Sequence, residues 1–269
     1  MKHPQLNGTG VALVTPFKNG AIDYSALENI IETVIKDGVD FLVSLGTTGE
    51  AVTLSAKECQ EVIDFTVKTT NERVPIVAGH FGDNYTAQLT ERIKATNLEG
   101  VAAIMSCSPP YVKPSQEGIY RHFMEIAKAS PLPIILYNVP GRTACNIEPE
   151  TVLRLAKASE LFIGVKEAAG DLVQLSQMVK ILPDDFYIWS GDDPTARVAM
   201  SCGADSVILV IANVFPKVFS DMIRAAHEGD FAKARKLHLQ VLDVHPCLYV
   251  EGNPTGIKAA LEIEGLCHR

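Results

Sequence analysis

The chain has 269 residues, 47% hydrophobic and 21% charged, with a net charge of −8. This profile fits one globular α/β domain with a sizeable core and argues against nucleic acid or an anionic membrane as a partner. No apolar run approaches the roughly 20 residues of a membrane span, and Met1-Lys2-His3-Pro4-Gln5 has no signal-peptide apolar core, so a cytoplasmic location is expected.

The first apolar run, Gly10–Val14, reads as a strand. Tyr24–Lys36 follows as a helix, with Leu27, Ile30, Ile31, Val34 and Ile35 on one face and Asp23 as N-cap. The second strand, Phe41–Leu45, ends in Gly46-Thr47-Thr48-Gly49-Glu50. The glycines permit close backbone approach, and the two hydroxyls can grip a carboxylate or relay a proton. A tight βα turn would use the same residues. Ser55 caps a helix over Ala56–Thr69; strand Pro75–Ala78 precedes a helix over about Thr86–Thr96, capped by Asp83 or Asn84. The fourth strand, Val101–Ser106, leads into Ser108-Pro109-Pro110-Tyr111-Val112-Lys113-Pro114, where prolines stiffen a loop that holds Tyr111 outward. Ser115 caps the next helix, about Glu117–Ala129.

The fifth strand, Ile134–Val139, carries Tyr137, which can pass a proton, and runs into Pro140-Gly141-Arg142-Thr143. The planar fork of Arg142 matches a carboxylate, although a solvated arginine would look the same. After a helix over Glu150–Lys157 comes Phe162–Lys166, an apolar run of buried-strand type. A lysine there is poorly solvated, which disfavours its ammonium and lowers its pKa. A neutral amine attacks carbonyls, the first requirement of Schiff-base catalysis. The plainer alternative is a strand-end lysine with its head in water.

Asp171 caps a helix over Leu172–Ile181. The seventh strand, Phe186–Ser190, ends in Gly191-Asp192-Asp193-Pro194, where Asp193 reads as the cap of Thr195–Ser201. The eighth, Val207–Ile211, supplies Ile208 as pocket lining. Three more helical stretches follow, about Lys217–His227, Phe231–His245 and Pro254–Glu264. The cysteines at 59, 107, 145, 202, 247 and 267 form no CxxC pair and no metal-ligand spacing, so reduced thiols and no metal site are expected.

Eight strands alternating with helices, at spacings of roughly 25–30 residues, argue for parallel βα units. The count favours a (β/α)8 TIM barrel over an open doubly wound sheet, and no G-x-G-x-x-G follows the first strand. The barrel is expected over 1–212, with a C-terminal helical appendage over 213–269 in one compact unit. Active sites of such barrels lie at the C-terminal ends of the strands. Lys166, Tyr111, Tyr137, Thr47, Thr48 and Arg142 all fall there, beside Gly191.

In order and spacing, GTTGE, SPPY, YNVPGRT, GVKEAAG and SGDD resemble the dihydrodipicolinate synthase family. That family belongs to the pyruvate-dependent class I aldolase superfamily, which includes N-acetylneuraminate lyase. The resemblance runs from about Gly8 to Gly265. It implies pyruvate bound as a Schiff base on Lys166, with no cofactor. It implies Thr47, Tyr137 and Tyr111 as a proton relay, Tyr111 coming from the neighbouring subunit of a homodimer or homotetramer. Thr48 would hold the pyruvate carboxylate, and Gly191 and Ile208 would line the substrate site. Arg142 would bind L-aspartate 4-semialdehyde and separates the synthase pattern from the lyases. Alternatives are another aldolase, lyase or dehydratase of the superfamily, and a catalytically silent regulatory barrel, against which the intact Lys166, Tyr137 and Thr47 argue. Pro110, Ala56 and Cys59 depart from the pattern of lysine-inhibited members, which predicts weak or absent inhibition by lysine. Members usually continue a few tens of residues past the equivalent of Gly265; this chain ends at Arg269.

Overall fold

The structure, a computed structural model, describes residues 4–268. The apolar runs form eight short strands: β1 Thr9–Ala12, β2 Phe41–Ser44, β3 Ile76–Ala78, β4 Ala103–Cys107, β5 Ile134–Asn138, β6 Phe162–Glu167, β7 Tyr187–Ser190 and β8 Ser206–Leu209. Each pairs in parallel with its sequence neighbour, and β8 pairs back onto β1. The sheet is therefore a closed (β/α)8 barrel, and the open sheet is excluded.

Seven helices connect the strands: α1 Tyr24–Lys36, α2 Ala56–Thr70, α3 Thr86–Ala95, α4 Gln116–Ala129, α5 Pro149–Ala158, α6 Leu172–Ile181 and α7 Ala196–Ser201. Their starts follow from local chemistry. Asp23, Ser115 and Asp171 accept backbone N–H groups of the first turn, and Ser55 and Glu58 form a reciprocal capping box. α8, Pro216–His227, packs against α1 and β1 and closes the ring of helices. The chain ends in α9 Phe231–Val241, α10 Val244–Tyr249 and α11 Thr255–Ile263.

Three expectations are corrected, and one element is added. The helix expected over Phe231–His245 is broken in two. Pro246 has no N–H to offer the Leu242 carbonyl, which instead accepts from His245 N in a tighter turn. Asp83 and Asn84 do not cap α3: Tyr85 occupies the N-cap, while Asp83 accepts from Tyr85 N and pairs with Arg92. Asp193 does not cap α7, because its oxygens are turned toward other backbone groups. A two-stranded hairpin, Phe17–Lys18 with Ala21–Ile22, was not anticipated. Asn19 and Gly20 at its tip both have positive φ, the turn that suits strand twist.

The closed sheet separates two apolar cores. Val11, Leu42, Ile104, Leu136, Val165 and Leu209 face the helices. Phe41, Val43, Met105, Ile135, Trp189 and Ile208 fill the inside. Alternation along each strand produces this division. A register shift at Ile134/Ile135 sets Tyr137 beside Lys166, and Lys166 pairs onward with Trp189. Tyr137 and Trp189 belong to the inner core, so Lys166 points into the barrel as well. No helix among the described residues is long and apolar enough to cross a membrane.

Trp189 fits because Gly164 has no side chain. A Cβ at 164 would collide with the indole ring and lie 2.5 Å from the Tyr187 carbonyl oxygen. Gly164→Ala is expected to cost roughly 1–3 kcal/mol through overpacking. Thermal denaturation should show a fall of several degrees, and an unchanged melting temperature would refute this packing.

Candidate active site

The chemistry-bearing side chains meet where β2, β5, β6 and β7 end. Lys166 is only 4% exposed, and its Nζ lies 4.5 Å from the centroid of the Tyr137 ring. Burial pushes its pKa down to about 8, although Asp193 pulls in the opposite direction. Roughly a tenth of the amine is then neutral at pH 7, several hundred times more than at the ordinary value of 10.5.

Tyr137 is buried, and its hydroxyl lies 3.4 Å from Thr47 Oγ1. Burial pushes the phenol up to about 12, with the Thr47 bond opposing, so Tyr137 holds its proton at neutral pH. Thr47 opens a helical turn, Thr47–Gly49, directly behind β2. Leu45 and Glu50 on either side adopt left-handed backbone, a cost concentrated at functional turns. Thr47, Tyr137, Arg142, His80, Arg92 and Cys107 help line a cavity of about 270 Å³. Lys166 lies against the face of Tyr137 and does not line this cavity itself. A larger open groove of about 530 Å³ runs along the C-terminal helices, past Glu50, Leu248 and Lys258, away from Lys166.

The other expected residues are placed as follows. Thr48 is buried, and its Oγ1 accepts from Asn253 Nδ2 at 3.0 Å. Arg142, in a single helical turn over Pro140–Thr143, is exposed and donates from Nη2 to the Asn253 carbonyl at 2.8 Å. Gly191 makes room for the lysine: a Cβ there would lie 2.7 Å from Lys166 Cε and 2.8 Å from Ala168 Cβ. Ile208 is fully buried in the inner core and is not among the cavity-lining residues. Tyr111 is 85% exposed, with φ of 70°, and the single chain does not bring it to Tyr137.

Four contributors were missed. Glu167 is buried on the face opposite Lys166 and accepts from Asn138 Nδ2 at 2.8 Å, Gln174 Nε2 at 3.0 Å and Ala169 N at 2.7 Å. A carboxylate at the end of an apolar strand, beside Asn138 at the end of the neighbouring one, was the available signal. Asp193 accepts from Val210 N at 3.0 Å, Ile211 N at 2.8 Å and the Tyr249 hydroxyl at 2.8 Å. Asn253 reaches both Thr48 and Arg142. Neither Tyr249 nor Asn253 carried a sequence signal of its own.

A closed parallel barrel with a desolvated lysine beneath a tyrosine–threonine pair defines a lysine-dependent, class I aldolase-type enzyme. Residues 5–269 match the dihydrodipicolinate synthetase family, and the chain belongs to that family. It is 43% identical over 261 residues to the 4-hydroxy-tetrahydrodipicolinate synthase of Cytophaga hutchinsonii, covering 97% of this chain and 87% of that protein. The crystal structure of dihydrodipicolinate synthase from Aquifex aeolicus superposes with a TM-score of 0.94 at 38% identity, covering 98% of this chain and 89% of that one. The chloride-inhibited dihydrodipicolinate synthase of Acinetobacter baumannii, solved in complex with pyruvate, superposes with a TM-score of 0.94 at 40% identity, covering 98% and 90%.

Because its folded pKa lies below the unfolded one, Lys166 releases a proton on folding between about pH 8 and 10.5. Its contribution to stability therefore rises with pH through that window. NMR titration of the lysine side chains should show a midpoint near pH 8. The same signal should vanish in Lys166→Met; a lysine set titrating only near the ordinary value would contradict the burial argument.

Proposed function

We propose that this chain condenses pyruvate, held as a Schiff base on Lys166, with L-aspartate 4-semialdehyde to give 4-hydroxy-tetrahydrodipicolinate, a step of lysine biosynthesis in the cytoplasm. The observation that carries the reading is the desolvated Lys166 amine packed against the Tyr137 ring, with Thr47 at the phenol. The named synthases among its relatives and the pyruvate complex of the Acinetobacter protein support it.

The neutral amine of Lys166 adds to the keto carbon of pyruvate, and water leaves as the imine forms. Tyr137, protonated at neutral pH, supplies the proton that the departing hydroxyl needs. The protonated imine is the electron sink: a proton lost from the methyl carbon leaves an enamine. That carbon attacks the aldehyde of the semialdehyde, and the new alkoxide takes up a proton. The amine of the adduct then displaces Lys166, closing the ring and freeing the enzyme. Each transfer by a positioned acid or base is worth about 10²–10⁴-fold. The 3.4 Å Tyr137–Thr47 separation is at the long end, as catalytic hydrogen bonds often are before substrate binds.

Thr48 is assigned to the pyruvate carboxylate and Arg142 to that of the semialdehyde. Gly191 keeps the lysine chain's place, and Ile208 supports the floor from within. Tyr111 of a second copy completes the relay in a homodimer or homotetramer, in keeping with its exposure on a left-handed turn.

Incubation with pyruvate followed by borohydride should add one reduced pyruvyl group to Lys166, located by peptide mass spectrometry. Lys166→Ala should lose both the adduct and turnover; an adduct on another lysine would overturn the assignment.

Arg142→Ala should leave the pyruvate adduct intact and lower kcat/KM for the semialdehyde. Loss of a hydrogen bond to a charged group costs roughly 1.5–3 kcal/mol, or about tenfold and more. Lysine at 142 should restore little, since the planar fork is gone. Unchanged semialdehyde kinetics would point to a different aldehyde.

A further inference from the structure

Lys258 and Glu50 form an ion pair that the Schiff-base chemistry does not use. An exposed pair of this kind contributes little. This one is mostly covered. Its side chains are 12% and 26% exposed, and the ammonium lies 4.3 Å from the centroid of the Phe17 ring in the hairpin. The partners come from α11 and from the loop after β2, 208 residues apart. Removing either one would strand the other charge in a largely buried place.

The backbone around Glu50 shows what the pair holds. Its φ of 54° and ψ of 31° are left-handed, a conformation that glycine adopts at less cost. A glutamate at such a position points to a role for its carboxylate. Glu50 N also donates to the Thr47 carbonyl at 3.1 Å and closes the helical turn Thr47–Gly49. Two further bonds hold this turn: Thr15 Oγ1 donates to the Gly49 carbonyl at 2.7 Å, and Asn253 Nδ2 donates to Thr48 Oγ1 at 3.0 Å. Those two act on Gly49 and Thr48, whereas Glu50 is bonded to Thr47 itself. The Thr47 hydroxyl, 3.4 Å from that of Tyr137, has little distance to spare.

We propose that Lys258 is a positioning residue: through Glu50 it holds the Thr47 turn so that the Thr47 hydroxyl stays within reach of the Tyr137 phenol. This rests on the Schiff-base reading only for its catalytic consequence; the geometric one stands without it. A general bracing role for the C-terminal segment would act differently. Asn253 lies in the same segment and accepts from Arg142, so loosening the whole segment would disturb the Arg142 side and raise KM for the semialdehyde. Loss of the Lys258–Glu50 pair alone lowers kcat.

The test uses Lys258→Met, which keeps the apolar stem and removes the charge, with Glu50→Gln as the second variant. Each is also combined with Thr47→Val. Lys258→Met should lower kcat roughly tenfold or more, a part of the 10²–10⁴-fold that a positioned acid or base supplies, with KM for the semialdehyde unchanged. Glu50→Gln should act in the same direction, and Lys258→Arg should restore most of the rate. In the Thr47→Val background Lys258→Met should lower kcat no further, because the group it positions is gone. Crystal structures of the unsubstituted protein and of Lys258→Met measure the Thr47–Tyr137 hydroxyl separation, which should open beyond about 3.5 Å in the variant. An unchanged separation overturns the proposal, as do losses that multiply with those of Thr47→Val or a raised semialdehyde KM with kcat kept. If Lys258→Met fails to fold, Glu50→Gln takes its place in both measurements. If the unsubstituted chain forms no borohydride-trapped pyruvate adduct, the Schiff-base reading falls, and the measured separation alone decides the positioning role.

Discussion

Lys166 is carried on the inner face of a sheet whose other inner side chains include Phe41, Val43, Met105 and Trp189, and little water follows it there. A pKa moved from 10.5 to about 8 corresponds to roughly 3 kcal/mol of preference for the neutral amine. The surroundings are arranged around that unfavourable burial. Gly191 leaves space for the lysine chain, Gly164 leaves space for Trp189, and the Tyr137 ring faces the ammonium position with its electron-rich surface. The amine can be desolvated because the barrel around it is already built: the ladder bonds of eight strands do not depend on it.

Period-two alternation then turns one strand end into two different devices. Lys166 faces inward and Glu167 outward, and burial shifts both, the lysine down and the glutamate up. Glu167 does not stand alone. Asn138, Gln174 and the Ala169 amide satisfy its oxygens, and Asn146 links Asn138 to Gln174. This network spans β5, β6, α6 and the loop before α5. It holds the ends of the two strands that bear Tyr137 and Lys166 at a fixed spacing. A partly satisfied buried network would loosen those ends, whereas a satisfied one specifies a single arrangement.

The barrel was legible because both faces of its strands are covered, so each strand appears as an unbroken apolar run such as Phe41–Leu45 or Ile134–Val139. Caps whose partners lie within one turn, Asp23, Ser55 and Asp171, were legible for the same local reason. Lys166, Tyr137 and Thr47 stood out because polar or ionisable groups at the ends of apolar strands need an explanation. What escaped was non-local. Asp193 looks like an N-cap in any local window, and only the folded chain brings Tyr249, 56 residues away, to its side. Asn253 meets Thr48 across 205 residues. Pro246 was visible as a helix breaker, but the apolar periodicity on both sides of it masked the interruption.

Those long-range contacts share a source. Between Tyr249 and Lys258 the chain touches three separate loops of the rim: Tyr249 the loop after β7, Asn253 both Thr48 after β2 and Arg142 after β5, and Lys258 the carboxylate of Glu50. Strand ends are held by the ladder, but loops are not, and ordering each one separately costs conformational entropy of about 1–2 kcal/mol per residue. A single segment bonded to all three orders them against one another as well as against the barrel. Arg142 shows why this matters for binding. Its bond to the Asn253 carbonyl occupies one of five N–H donors and orients the guanidinium, which frees the others for the carboxylate that the proposed function assigns to it. A side chain held in place before its ligand arrives has less freedom to lose on binding. The C-terminal segment thus frames the rim at which the barrel presents Lys166, Tyr137 and Thr47.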